Sequence, residues 1–268
     1  FPGEWTAWFE NPKGGAGHWI KHVVFDVTDN ESPTFTDITG DGKPELACQH
    51  DEALGWVEAD WKDPRKPWTW HPALADSAGG KFTHGLGVGD LNRDGRPDLL
   101  RKEGWYEQPA SRAGDPAWKF HPVAFSPAYG GAQMLVHDFD GDGDADVFTS
   151  YAAHGYGLAW FEQKANGAFE AHELLSAEGS PENVSELHAL CLADLDGDGQ
   201  QDVVTGKRWW SHGQRGEAGS TDSPRTLGFL TRRTVAGLKF EQVTLHEECG
   251  VGVSVTAGDV NGDGRCDV

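Results

Sequence analysis

Asp138-Phe139-Asp140-Gly141-Asp142-Gly143-Asp144-Ala145-Asp146 alternates aspartates with apolar or small residues over nine positions. Acids at positions 1, 3, 5 and 9 can converge on one hard cation, and the glycine at position 6 lets the backbone turn inward. The stretch reads as a calcium loop. The same frame recurs as DITGDGKPE from Asp37, DLNRDGRPD from Asp90, DLDGDGQQD from Asp194 and DVNGDGRCD from Asp259. The intervals of 53, 48, 56 and 65 residues indicate one structural unit per copy. An EF-hand is excluded, because position 12 holds Cys48, Arg101, Thr149 or Thr205 where a bidentate glutamate is needed.

Working outward, each loop is flanked by short apolar runs and turn residues with no sustained helical period. A unit reads as strand A into the loop, strand B out of it, strand C carrying W-x-E and strand D carrying W-x-x-H. Strand C gives Trp8/Glu10, Trp56/Glu58, Trp105/Glu107 and Trp160/Glu162, and Trp209 in RWWS stands in for it in the fifth copy. Strand D gives Trp19/His22, Trp68/His71, Trp118/His121 and Phe169/His172, and fades at Phe240 to Val243. The expectation is an all-β protein, a β-propeller of four-stranded antiparallel blades with a calcium loop in each A–B turn. Residues 1–268 form one domain of four complete blades plus a half blade at each end. The halves either pair into a fifth blade that closes the ring, or the chain is a piece of a larger ring, seven-bladed for example.

Composition agrees with this organisation. The 268 residues carry 22 basic and 43 acidic side chains, a formal charge of −21 that opposes nucleic acid and anionic membrane as partners. Seventeen of the acids sit at loop ligand positions, so five calcium ions would cancel about half of that charge. No run reaches the roughly eighteen apolar residues of a membrane helix, so no membrane insertion is expected. With Phe1 at the start and Met134 as the sole methionine, an upstream segment is expected to be missing, and a further domain could precede residue 1 or follow residue 268. The four cysteines, Cys48, Cys191, Cys249 and Cys266, lack paired spacing and read as small thiols rather than disulfides.

These loops and strands resemble the FG-GAP/VCBS repeats, whose members build calcium-bearing propellers, and the resemblance covers nearly the whole chain. The literal Phe-Gly and Gly-Ala-Pro marks of integrin-type repeats are absent. Together with THGLGVGD (83–90) and KRWW (207–210), the W-x-E strands are also similar to the propeller part of fungal aldos-2-ulose dehydratase. The family pattern implies up to five calcium ions. Their ligand positions are Asp37, Thr39, Asp41, Lys43 and Glu45; Asp90, Asn92, Asp94, Arg96 and Asp98; Asp138, Asp140, Asp142, Asp144 and Asp146; Asp194, Asp196, Asp198, Gln200 and Asp202; and Asp259, Asn261, Asp263, Arg265 and Asp267. Position 7 offers its carbonyl. Thr39 and Glu45 depart from the pattern and make the first loop the weakest.

In a ring of equivalent units, what every unit repeats serves packing, and what breaks the repeat is the candidate for function. The strand C tryptophans and glutamates and the strand D histidines are therefore scaffold, with rings expected between neighbouring blades. Opposite the calcium loops, strand A starts and strand B ends should meet around a funnel. Six residues before the loops lie Glu31, His84, Ala132, His188 and Val253. Past the loops lie His50, Glu103, Tyr151 and Lys207, with His154 and Arg208 close behind. This set does not repeat, and titratable groups converging on a concave mouth point to chemistry or polar-ligand recognition. His84, His188 and His154 could hold one transition metal or act as base, Tyr151 or Lys207 could supply a proton, and His50, Glu103, Arg208 and Trp209 could contact substrate. The insertion 211–225 is expected on the calcium face, and the D–A loop 177–186 is the better lid.

Two functions follow. The first, slightly preferred, is an extracellular or periplasmic calcium-stabilised module that binds a carbohydrate or protein ligand. The second is a carbohydrate-active lyase or dehydratase working at the histidine-rich mouth.

Overall fold

The computed structural model describes residues 5–268 apart from 75–80, 132, 179–183 and 217–218. The chain is all-β, with a single 3-10 turn at Gly213–Arg215 as its only helical element among the described residues. A two-stranded hairpin, β1 (Thr6–Glu10) and β2 (Ile20–Phe25), comes first. Four antiparallel meanders follow, each of four strands paired in chain order. The first is β3 (Thr34–Thr36), β4 (Glu45–His50), β5 (Ala53–Glu58) and β6 (Thr69–Leu74). The second is β7 (Leu86–Gly89), β8 (Asp98–Arg101), β9 (Gly104–Glu107) and β10 (Lys119–Pro122). The third is β11 (Gln133–His137), β12 (Asp146–Ser150), β13 (Leu158–Gln163) and β14 (Phe169–Leu175). The fourth is β15 (Leu187–Ala193), β16 (Asp202–Lys207), β17 (Thr226–Thr234) and β18 (Gly237–His246).

The meanders stack face to face, which explains the strand patterns. β8, β12 and β16 are buried at every residue, each carrying an apolar pair (Leu99–Leu100, Val147–Phe148, Val203–Val204) behind a buried aspartate, whereas the last strands, such as β14, mix half-buried and exposed positions. Three apolar cores lie between successive meanders. Ile38, Trp56, Leu86, Leu99 and Trp118 fill the first, Leu100, Trp105, Phe125, Met134 and Val147 the second, and Phe139, Phe148, Trp160, Leu190 and Phe229 the third. At the inner edge β7 and β11 run parallel and pair directly, Gln133 with Leu86 and Met134 with Gly87. A Cβ on Gly87 would stand 2.6 Å from the Met134 carbonyl oxygen, and one on Gly89 2.4 Å from Val136 Cγ1, so only glycine permits that approach.

The repeated Trp, His and Glu residues form cross-strand sets on the β1–β2, β5–β6, β9–β10 and β13–β14 hairpins. Trp8, Trp56, Trp105 and Trp160 stack on His22, His71, His121 and His172 at 4.0–5.1 Å between ring centroids. Each histidine Nε2 lies 2.8–3.2 Å from Glu10, Glu58, Glu107 or Glu162. Their first contact is thus within one hairpin, because Trp and His occupy directly opposed, same-face positions. The indoles also reach into the packing between units, as where Trp56 meets Trp118 at 5.5 Å.

The fourth meander corrects the sequence expectation. KRWW is not its third strand: it is the end of β16 and the turn after it, with Trp210 and His212 at left-handed φ of 61° and 52°. The third strand is Thr226–Thr234, whose nine residues pair along β18. An aromatic pair imitated the W-x-E mark, but a non-glycine residue in the left-handed region belongs to a turn. The insertion 211–225 therefore joins second to third strand, at the end opposite the acidic loops. The last expected half unit also differs. Residues 250–258 form no regular strand, and only the Gly258–Asp267 bridge closes the fifth loop. Among the described residues β1 and β2 pair only with each other, so no first-to-last strand ladder is formed. All four cysteines are free thiols.

Candidate metal centre at the funnel mouth

The ends of the second strands and the starts of the first strands share one end of the molecule. Glu31 precedes β3, His84 precedes β7, His154 follows β12, and His188 lies on β15. Their ligand atoms all fall within 4.8 Å of one another. His154 Nε2 is 3.2 Å from His84 Nε2, His84 Nε2 is 3.4 Å from Glu31 Oε2, and His188 Nε2 is 2.8 Å from the same oxygen. Ligands about 2.0–2.1 Å from an ion at tetrahedral corners stand about 3.3 Å apart, so these separations suit one first-row ion. Three imidazoles and a carboxylate are a donor set for zinc, iron or manganese rather than for calcium.

Burial and charge prepare the set. His188 is fully buried, and its Nδ1 has no hydrogen-bond partner, so the polarity of the ring is directed into the cluster. Burial depresses the His188 imidazole against the opposing pull of Glu31, which favours the neutral form that ligates metals. Burial alone would raise the Glu31 carboxyl, but hydrogen bonds and charge from His188 and His84 outweigh it and hold it well below the usual carboxylate range. The direction for the pair is an ionised Glu31 beside a neutral His188.

Arg208, just past β16, completes the surroundings. Its Nη2 lies 3.1 Å from both His154 ring nitrogens and 3.3 Å from Glu186, contacts Ser211 Oγ, and its Nη1 is 3.8 Å from Glu31. Beside the cluster opens a cavity of about 500 Å³ lined by Thr28, Asn30, Glu31, Pro33, Phe82, Arg208 and Val253. The His212 ring is 5.0 Å from His154, and Trp209 and Trp210 are about half exposed beside it.

The sequence placed His84, His154, His188 and Arg208 at this mouth, and the structure brings them together. Other expected members stand elsewhere. Lys207 is buried and donates to Ser185 Oγ at 2.6 Å and to the Gly219 carbonyl, tying the insertion to the body, and burial lowers its pKa. The Tyr151 ring packs edge-on against Phe161 in the second core. His50 is held at the Val27 carbonyl between Phe25 and Trp70. Glu103 pairs with Lys102 at 3.3 Å. Ala132 and residues 179–183 of the expected lid lie outside the described residues. Missed by sequence were the roles of Glu31, Glu186 and Phe82. Glu31 was already visible in the series of first-strand starts, whereas Glu186 and Phe82 carry no such mark.

At the opposite end, the first acid of each nine-residue loop caps two or three loop amides, as Asp138 does for Gly141 and Gly143 and Asp194 for Gly197, Asp198 and Gly199. The ninth accepts the amide of position 2, from Leu91 to Asp98, Phe139 to Asp146 and Leu195 to Asp202. Glu45, one methylene longer, takes Ile38 in the same way. Ligand oxygens converge within 4.8 Å at Asp37/Asp41/Glu45, Asp138/Asp140/Asp146 and Asp194/Asp196/Asp202. In the second loop Asp94 is instead engaged by Asn92 and Arg96.

The family described as FG-GAP-like repeat matches residues 138–205, from the third acidic loop to the body of β16. The chain carries an FG-GAP-like repeat. Among solved structures, the crystal structure of the V. cholerae biofilm matrix protein Bap1 is similar, with 18% sequence identity and a TM-score of 0.39. The likeness covers 84% of this chain and 34% of that one, so this chain spans about a third of the length of Bap1. No curated protein matches the sequence. No helix among the described residues is long and apolar enough to cross a membrane.

Proposed function

We propose that this chain is a calcium-braced propeller module, extracellular or periplasmic, whose mouth holds one transition-metal ion at Glu31, His84, His154 and His188 and acts on a carbohydrate as a lyase or dehydratase. The single observation that carries this reading is the convergence of those four side chains beside an open cavity. When bound, the metal would polarise a ligand oxygen as a Lewis acid. Around it, Glu31 and the imidazoles would hold the ion, and Arg208 orients His154 and stands where it could bind a developing oxyanion. Repeated acidic loops support calcium, and extracellular modules bind it at about 10⁻⁴–10⁻³ M, which suits a compartment rich in it.

A second reading keeps the metal and omits the chemistry: the exposed Trp209, Trp210 and Phe82 around the mouth are the kind of faces on which a sugar stacks. One experiment tests the metal and separates the readings. Elemental mass spectrometry of protein exchanged into calcium buffer should give several calcium ions and about one zinc, iron or manganese. His84→Ala and His188→Ala should lose the latter and keep the former. Turnover of keto-sugar substrates that vanishes in both variants supports the lyase, and metal without turnover leaves the binding module. Wild type with no transition metal refutes both.

A further inference from the structure

We infer that the ligand of this mouth carries a carboxylate, as a sugar acid does, and that Arg208 selects it. The inference rests on the metal-centre reading above and adds the class of ligand to it.

Charge is the first argument. A divalent ion and Arg208 bring three positive charges, Glu31 and Glu186 bring two negative ones, and the neighbouring Lys207 and Asp222 offset each other. One positive charge is left over in a place where Glu186 is fully buried and the Arg208 side chain is 12% exposed. Uncompensated charge in such surroundings is costly, and a monoanion removes it where a neutral sugar leaves it standing. The surplus is local, since the chain as a whole is strongly acidic.

Donor supply is the second. Arg208 Nη2 is occupied by His154, Glu186 and Ser211, whereas Nη1 stands 3.8 Å from Glu31, beyond hydrogen-bond reach. The guanidinium lines the cavity, and a carboxylate makes a charge-assisted bond to Nη1 that is stronger than a hydroxyl makes. Across the cavity stand Phe82, Pro33 and Val253, apolar faces for a carbon skeleton. Phe82 is 52% exposed, held in a turn at φ 63°.

The test is calorimetric titration of the full chain, loaded with calcium and zinc, with D-glucuronate and with D-glucose, which differ at one carbon. The expected result is at least tenfold tighter binding of glucuronate. Arg208→Gln should abolish the preference, and Arg208→Lys, which keeps the positive charge beside the buried Glu186, should keep its zinc and retain only part of the preference. Equal or tighter binding of glucose, no binding of either, or a preference that survives Arg208→Gln would overturn the inference. Zinc measured on the same samples separates the two failures. A zinc-loaded mouth without preference removes only the anion, and a mouth that takes no zinc removes the metal centre and the inference with it.

Discussion

His188 and its neighbours show how far single residues could be read from sequence. The offset from each acidic loop located Glu31, His84 and His188 because first strands start at the same height in every unit. It failed for Lys207 because successive residues of a strand point to opposite faces, so Lys207 and Arg208 diverge and only Arg208 reaches the imidazoles. Tyr151 turns into the core while His154, past the turn, faces the mouth. The loop acids permit a prediction at the same scale. Burial pushes the Asp98 and Asp146 carboxyls up to about 7 and also raises Glu45, Asp140 and Asp202. An unfolded chain releases such protons near pH 4, so between about pH 5 and 7 these groups bind more protons in the calcium-free folded state and it loses stability as pH rises. His188 and His137, depressed by burial, oppose this below about pH 6.5, and the carboxyls lowered in the fold, Glu31, Glu107 and Glu162 among them, oppose it only below about pH 5. The melting temperature in chelator should therefore be higher at pH 5 than at pH 7, and saturating calcium should flatten or reverse the slope. An increase from pH 5 to 7 in chelator would refute the account.

Among elements, the joint between meanders is the informative unit. Gln108, at the end of the second meander's third strand, donates Nε2 to the Ile38 carbonyl in the loop of the first. Gln163 does the same to Leu91 at 3.0 Å, and Arg233 to Phe139 at 2.7 Å. The backbone amides of Gln108 and Gln163 meanwhile bind the ninth-position acids of their own loops, Asp98 and Asp146. Each latch thus ties one acidic loop to the preceding one. Gln163→Ala would leave the buried Leu91 carbonyl without its donor and should destabilise the protein by about 1–3 kcal/mol in urea titration, with weaker calcium binding at both flanking loops. A change below about 0.5 kcal/mol would show that the latch holds nothing. Strands three and four of the early units were legible from the W-x-E and W-x-x-H marks, whose Trp and His proved to be directly opposed. The third strand of the fourth meander was not, because Thr226–Thr234 lacks the tryptophan and a turn nearby displays two.

For the whole molecule, the acidic loops gather at one end and the imidazoles at the other, with three apolar cores between them. Removing calcium should lower the melting temperature of wild type and His84→Ala alike, because the loops and the mouth are separate sites. An unchanged melting temperature in chelator would count against calcium in the loops. The all-β stacking was legible because the repeat states it five times, whereas the mouth depended on side-chain direction, which no repeat encodes. The latch has one further consequence. Its donor always belongs to the later unit and its acceptor to the earlier, so any unit can follow any other without a new interface being devised. A gene built of such parts can gain or lose a copy by duplication or unequal exchange and still encode matching joints. Its copy number is free to drift until it meets the residues at the mouth, which occur once each.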